Sequence, residues 1–290
     1  MDVISAEAFL FVLVLWPLWL IAIGIEMIFK NSPLKAFGYV SPALMAVVFI
    51  LAGVEAHDVE QGQRGEGRLS YRYSQKVDTD ISTLNAKIEL GDYDLLMRSR
   101  KDMRIRGKMT GWQRAPKIEY EVDGAQAAFQ ATPHSSLFSW SGRPFYHLIH
   151  INGRPLAEPE YRLDIPDDVA LRVELTGDES NAELNLAETS LQSLIADVDD
   201  VALSLVVGDK EPLIEITLSG SGNRFRLNIP GHAGVWLDGD GIGKELTGYL
   251  ERFGLQKLGS AFVSPGYDTL TPKIKVTVND DLERLSLKTY

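Results

Sequence analysis

The chain opens with two long apolar stretches and then changes to a two-residue rhythm. Ala8 to Ile25 is an uncharged run of 18 residues that continues past Glu26 through Met27, Ile28 and Phe29. At about 1.5 Å per residue, residues 8–29 would cover roughly 33 Å as a helix, close to a hydrocarbon core of about 30 Å. Ala36 to Val54 is a second uncharged run, of 19 residues, and only Lys30 to Lys35 separates the two. The pattern predicts an antiparallel transmembrane hairpin over residues 1–55, with spans at 8–29 and 36–54. A cleaved secretory signal is the competing reading of the first run, but no basic region precedes it and no small-residue cleavage site follows it. Pro17 and Gly24 either kink the first span or form a packing notch for a membrane partner. Lys30 and Lys35 put the turn on the cytoplasmic side, so the remainder of the chain is expected to be extracytoplasmic.

Residues 56–67 read as a polar, glycine-containing linker, and a folded domain is expected over 68–290. There the apolar residues fall at alternate positions, as in Ile118, Tyr120 and Val122, Leu171, Val173 and Leu175, Leu203 and Leu205, Ile214, Ile216 and Leu218, and Ile274, Val276 and Val278. Period two means strands with one buried face. A longer repeat lies on top of it: Leu163-Asp-Ile-Pro-Asp-Asp-Val-Ala-Leu171 returns 64 residues later as Leu227-Asn-Ile-Pro-Gly-His-Ala-Gly-Val235. Short rungs stacked into a β-solenoid account for both periods, with a β-sandwich as the alternative. Two segments break the rhythm. Leu246, Tyr249, Leu250 and Phe253 have helical spacing and predict one short helix or turn within 242–259. Residues 131–160, with Phe138, Trp140, Phe145 and Tyr146, predict an ordered excursion and the most plausible binding loop.

Composition removes several chemistries. There is no cysteine, and 29 Lys plus Arg against 40 Asp plus Glu give a net charge of -11, which argues against a nucleic-acid partner. Gly239-Asp-Gly-Ile-Gly243-Lys244 departs from a phosphate-binding loop at Asp238 and Glu245 and reads as a turn. Asp238 and Asp240 begin like a calcium loop, but Ile242 and Tyr249 stand where oxygen ligands are required. His134, His147 and His150 are weak zinc candidates, because residues three apart on a strand face opposite ways. The clusters Asp197, Asp199, Asp200 and Asn279, Asp280, Asp281 fit strand turns better than a cation site. No catalytic, metal or cofactor-binding residue is assigned, and the chain is expected to be non-enzymatic.

Trp16-Pro-Leu-Trp-Leu-Ile-Ala-Ile-Gly-Ile25, the basic turn and the second apolar run resemble the membrane hairpin of LiaF-like proteins. Tyr161-Arg-Leu-Asp-Ile-Pro166, Leu227-Asn-Ile-Pro230 and Ser264-Pro-Gly-Tyr-Asp268 resemble that family's C-terminal "toast-rack" β domain, which is related to adhesin-like domains. The resemblance implies a multi-pass protein of the inner (plasma) membrane that senses or modulates cell-envelope stress. Its hairpin would dock in the bilayer beside a signalling partner such as a sensor kinase. The second functional expectation is a self-associating structural or adhesin-like envelope scaffold, with homo-oligomers formed by edge-to-edge stacking.

Overall fold

The computed structural model describes residues 69–290 apart from 92, 112–115, 133–149, 152–153, 156–159, 243 and 281–283. The expected spans at 8–29 and 36–54 and the linker at 56–67 lie outside the described residues. The expected fold class, a membrane-anchored, mostly β protein led by a two-helix hairpin, is corrected to a mostly β fold with no candidate membrane span among the described residues. Its one α-helix among the described residues is α1 (Lys244–Phe253), and no helix there is long and apolar enough to cross a membrane. Ten residues rise only about 15 Å, half a hydrocarbon core.

The strands follow in chain order as β1 (Leu69–Lys76), β2 (Thr83–Leu90), β3 (Asp94–Arg100), β4 (Arg104–Gly111), β5 (Lys117–Asp123), β6 (Gln126–Thr132), the short β7 (His150–Ile151) and β8 (Arg154–Pro155), and β9 (Glu160–Pro166). After them come β10 (Ala170–Asp178), β11 (Asn181–Leu186), β12 (Ser190–Asp199), β13 (Ala202–Val207), β14 (Leu213–Ser219), β15 (Arg224–Ile229) and β16 (Gly234–Asp238). Helix α1 precedes β17 (Gln256–Leu258), β18 (Ala261–Val263), β19 (Lys273–Val278) and β20 (Arg284–Thr289). They build two main sheets. The first has the order β1-β4-β9-β3-β11-β13-β15-β20, and the second β17-β18-β16-β19-β14-β12-β10-β2-β6-β5.

Through the middle of the stack successive coils of chain place one strand in each sheet and like strands pair in parallel, while β4 with β9, β5 with β6, and β18 with β16 and β17 pair antiparallel toward the ends. In the first sheet Leu163, Met97, Leu184, Leu205, Leu227 and Leu287 lie opposite one another from strand to strand. In the second, Phe129, Ala86, Val173, Leu194, Ile216, Val276 and Leu237 do the same. All of these are buried in one continuous apolar cluster. Alternation along each strand therefore becomes a column of side chains across the stack, which buries both inner faces at once. Three coils of about 21 residues account for the 64-residue spacing of the Leu-x-Ile-Pro motif.

That motif marks a topological device. After β11 and β13 the chain passes from the first sheet to the adjacent place in the second. After β9 it skips the coil formed by β2 and β3, and after β15 it skips the coil formed by β19 and β20. The same hydrogen bonds seal both crossings. Asp167 N–H donates to the Arg100 carbonyl (3.1 Å) and Ala170 N–H to that of Ser82 (3.0 Å). In the second copy Gly231 N–H donates to Tyr290 (3.1 Å) and Gly234 N–H to Pro272 (2.8 Å). Buried Pro166 and Pro230 end their strands at equivalent points, where a missing N–H releases the chain from the ladder.

The turns that leave strands of the second sheet pack equally closely. Gly220 has φ 93°, and a Cβ there would stand 1.9 Å from the Val198 carbonyl oxygen of the neighbouring coil; Gly239 (φ 126°) meets Val278 in the same way. Only glycine tolerates both the conformation and the approach. At the far end, α1 covers the outer strand of the first sheet. The Tyr249 hydroxyl donates to the Leu287 carbonyl and accepts from the Leu287 N–H, both at 2.8 Å, which satisfies part of an open strand edge.

Leu203 is 1% exposed on an inward column, whereas Ser204 faces outward. Leu203→Asp is expected to cost several kcal/mol, on the order of 3–5, and Ser204→Asp less than about 0.5. Comparing chemical denaturation midpoints checks this; equal midpoints would contradict the assigned facing.

Candidate functional site

Strands β1, β4, β9 and β3 lie side by side at one end of the first sheet. Since inward positions there are taken by Ile105, Met109, Tyr161, Leu163 and Met97, the intervening residues face out. Those intervening residues are strongly basic. A groove of about 730 Å³ on this face is lined by Arg72, Arg98, Arg100, Arg106, Lys108 and Arg162, with Ser74, Ser99 and a single acid, Asp164.

A pair of tyrosines fixes the wall from inside. Tyr73 of β1 reaches across β4 to bring its hydroxyl onto that of Tyr161 in β9, and its ring stacks on Phe129 at a centroid distance of 6.0 Å. The crossing depends on Gly107, where a Cβ would stand 1.9 Å from the Tyr73 ring. Burial pushes the phenols of both Tyr73 and Tyr161 well above the usual tyrosine range. Both therefore remain neutral hydrogen-bonding groups. The pair ties β1 to β9 across β4, and on the outer face of that neighbourhood Lys108 of β4 lies opposite Arg162 of β9 and Arg106 opposite Asp164.

The cations differ in how they are held. Arg100 pairs with Asp164 at 2.8 Å, Arg106 with Asp102 at 2.5 Å, and Arg162 with Glu160. Among the described residues Arg72, Arg98 and Lys108 form no ion pair. These pairs are solvent-exposed and individually weak, so an incoming anion can compete for the guanidinium groups. Arginine forks suit bidentate contacts to carboxylate, sulfate or phosphate.

The residues singled out by sequence lie elsewhere. Asp199 accepts hydrogen bonds from the Ser221 N–H (2.7 Å) and hydroxyl (2.9 Å), which hold its carboxyl below the ordinary range. Asp280 accepts from Gly220 N–H (3.0 Å), and buried Asn223 bonds both Val198 and Val201. These side chains stitch one turn to the next. Asp238 accepts from the Trp236 indole and Thr277 hydroxyl. Among the described residues no group of three or more His, Asp or Glu is placed to hold a metal ion. Most of the aromatic excursion, including His134 and His147, lies outside the described residues, and His150 begins β7, which pairs with β8.

The groove itself escapes a reading based on total charge, because a net of -11 hides a local reversal. A usable signal existed in Arg98-Ser-Arg-Lys-Asp-Met-Arg-Ile-Arg-Gly-Lys108, where cations occupy the alternate positions that a strand turns to solvent.

The fold has a solved counterpart. The structure is similar to the crystal structure of a protein from Clostridium sporogenes described as "a putative cell adhesion protein", with a TM-score of 0.57 and 13% identity over 76% of this chain and 100% of that one. That likeness is one of fold. No family model and no curated protein matches the sequence, so the LiaF-like resemblance rests on the quoted motifs alone.

Replacing either phenol by Phe should leave its partner unsatisfied and cost about 1–3 kcal/mol, with the double Phe variant costing less than the sum. Because the folded-state values are raised, the pair stabilises fully below the ordinary tyrosine value of about 10 and loses its contribution as pH rises beyond it. Thermal melts between about pH 9 and 12 should fall steeply for the native chain and less steeply for Tyr73→Phe/Tyr161→Phe.

Proposed function

We propose that this chain is a non-enzymatic, adhesin-like envelope scaffold whose stacked β domain presents a rigid binding face. The observation that carries this reading is the arginine-rich groove on the outer face of the first sheet, set on a framework with the fold of a protein described in terms of cell adhesion. A stack whose interior is filled by apolar columns has its outer faces free for contact, and the groove offers charged and hydroxyl groups for recognition. The adhesin-like reading is favoured over envelope-stress signalling, which draws support only from sequence resemblance. Association by edges is less favoured than association by faces. Tyr249 occupies the outer edge of β20, and the β5 edge carries Lys117, Glu119, Glu121 and Asp123.

Beads coated with the Ser70–Tyr290 unit are expected to adhere to isolated cell-envelope material at low salt and to detach at about 0.5 M salt, where screening reaches only a few ångströms. Adhesion that is absent under all salt conditions would refute the scaffold reading.

A further inference from the structure

The groove's chemistry narrows what it can hold. Six cations converge there, in a chain whose overall charge is strongly negative, and three of them have no counter-ion among the described residues. Outward side chains on one strand recur about every 6.8 Å, and neighbouring strands lie about 4.8 Å apart. The cations thus form a two-dimensional grid, wider than one small anion needs and suited to a chain of repeated anionic groups.

Three kinds of polyanion meet that grid differently. Single-stranded nucleic acid is gripped by exposed aromatic rings on which bases stack. The groove's one aromatic, Tyr73, is committed to Tyr161 and Phe129 beneath the surface. A bilayer surface is gripped by apolar side chains that enter the headgroup boundary along with basic ones. Here Leu96 is the one apolar aliphatic residue on the lining. An acidic polysaccharide needs carboxylate-matching forks and neutral hydroxyl partners, and the groove offers five arginines together with Ser74 and Ser99.

We infer that the groove over β1, β4, β9 and β3 binds an acidic polysaccharide, with Arg72, Arg98 and Lys108, which form no ion pair among the described residues, as its anchors and Arg100, Arg106 and Arg162 exchanging their internal partners for the ligand. This rests on the scaffold reading above and names its partner class. The internal pairs have a role in the empty groove: Asp102, Glu160 and Asp164 hold guanidinium groups in position against the mutual repulsion of a crowded cationic face. Each is exposed enough to yield to a ligand that supplies many carboxylates at once.

The test measures binding of labelled alginate to the full-length protein in mild detergent. Affinity should fall about ten-fold or more between roughly 50 and 200 mM salt, as counter-ion release requires. Arg72→Glu/Arg98→Glu/Lys108→Glu should weaken binding at least about ten-fold with an unchanged melting temperature, whereas Arg226→Glu, outward on the same sheet but at its other end, should bind normally. A single-stranded oligonucleotide and mixed micelles carrying phosphatidylglycerol serve as rival ligands, and neutral dextran as the uncharged control. Tighter binding of either rival than of alginate overturns the inference, as does equal binding by the triple variant. Self-association abolished by that variant also overturns it, by making a second copy the occupant. If coated beads adhere to envelope material but alginate neither binds nor competes, the partner class is wrong while the scaffold reading stands; if the beads fail to adhere, the scaffold reading itself fails.

Discussion

Everything in this domain depends on in-register parallel pairing between successive coils. Each strand is too short to bury a core alone, and each coil in the middle of the stack contributes one strand to each sheet. Pairing Leu184 with Leu205 and Leu205 with Leu227 aligns inward side chains into columns, and two sets of columns close on each other as one apolar interior. A slip of one residue would turn a whole column to solvent, so register is held by burial as well as by the ladder. The tight turns follow from the same requirement. Gly220 and Gly239 let neighbouring coils approach until a Cβ would overlap a carbonyl, and Asn223 and Asp199 satisfy the turn backbones thus brought together.

In-register stacking also explains how the chain can leave a gap and fill it from a distant segment. The coils formed by β2 with β3 and by β19 with β20 sit between strands that adjoin them in space but are separated from them in sequence. Such an insertion costs loop closure and is repaid by pairing on both sides of the inserted strand. The two copies of Leu-x-Ile-Pro then have a common physical meaning. Each ends a strand at a proline and lets the next few residues cross over a foreign coil, whose terminal carbonyls accept their N–H groups.

Legibility in the sequence tracked the regularity of the inward columns. Strands such as β10, β14 and β19 alternate cleanly and were visible from their apolar spacing. Strand β12 was not, because a register shift near Arg172 pairs that residue with Ser193 and leaves Gln192 over, so the apolar phase changes between Leu191 and Leu194. Strand β6 hides for another reason: its inward residues include Ala127 and Ala131, which are small and read as neutral. Strands β3 and β4 are masked by the cations on their outer faces. The short helix within 242–259 was legible from Leu246, Tyr249, Leu250 and Phe253, but its service to the β20 edge through one tyrosine hydroxyl was not, since that contact spans 38 residues. The hairpin expectation came from apolar length alone, and it is not part of the architecture that the described residues define.

The same separation of duties makes a charged binding face affordable. Stability of a stacked β domain resides in residues that point inward, so outward positions can be changed with little effect on folding. That freedom permits crowding of like charge, which in a single-layered sheet would compete directly with pairing. Here the repulsion among Arg100, Arg106 and Arg162 is moderated by one neighbouring acid each, and the strand that carries Arg72 is anchored from beneath by Tyr73. Because Gly107 gives up its side chain to admit that ring, the inward packing of β1 fixes the outward spacing of the cations. A substitution at Gly107, itself on the groove lining, would therefore act less through its own added side chain than by displacing the tyrosine that ties β1 to β9.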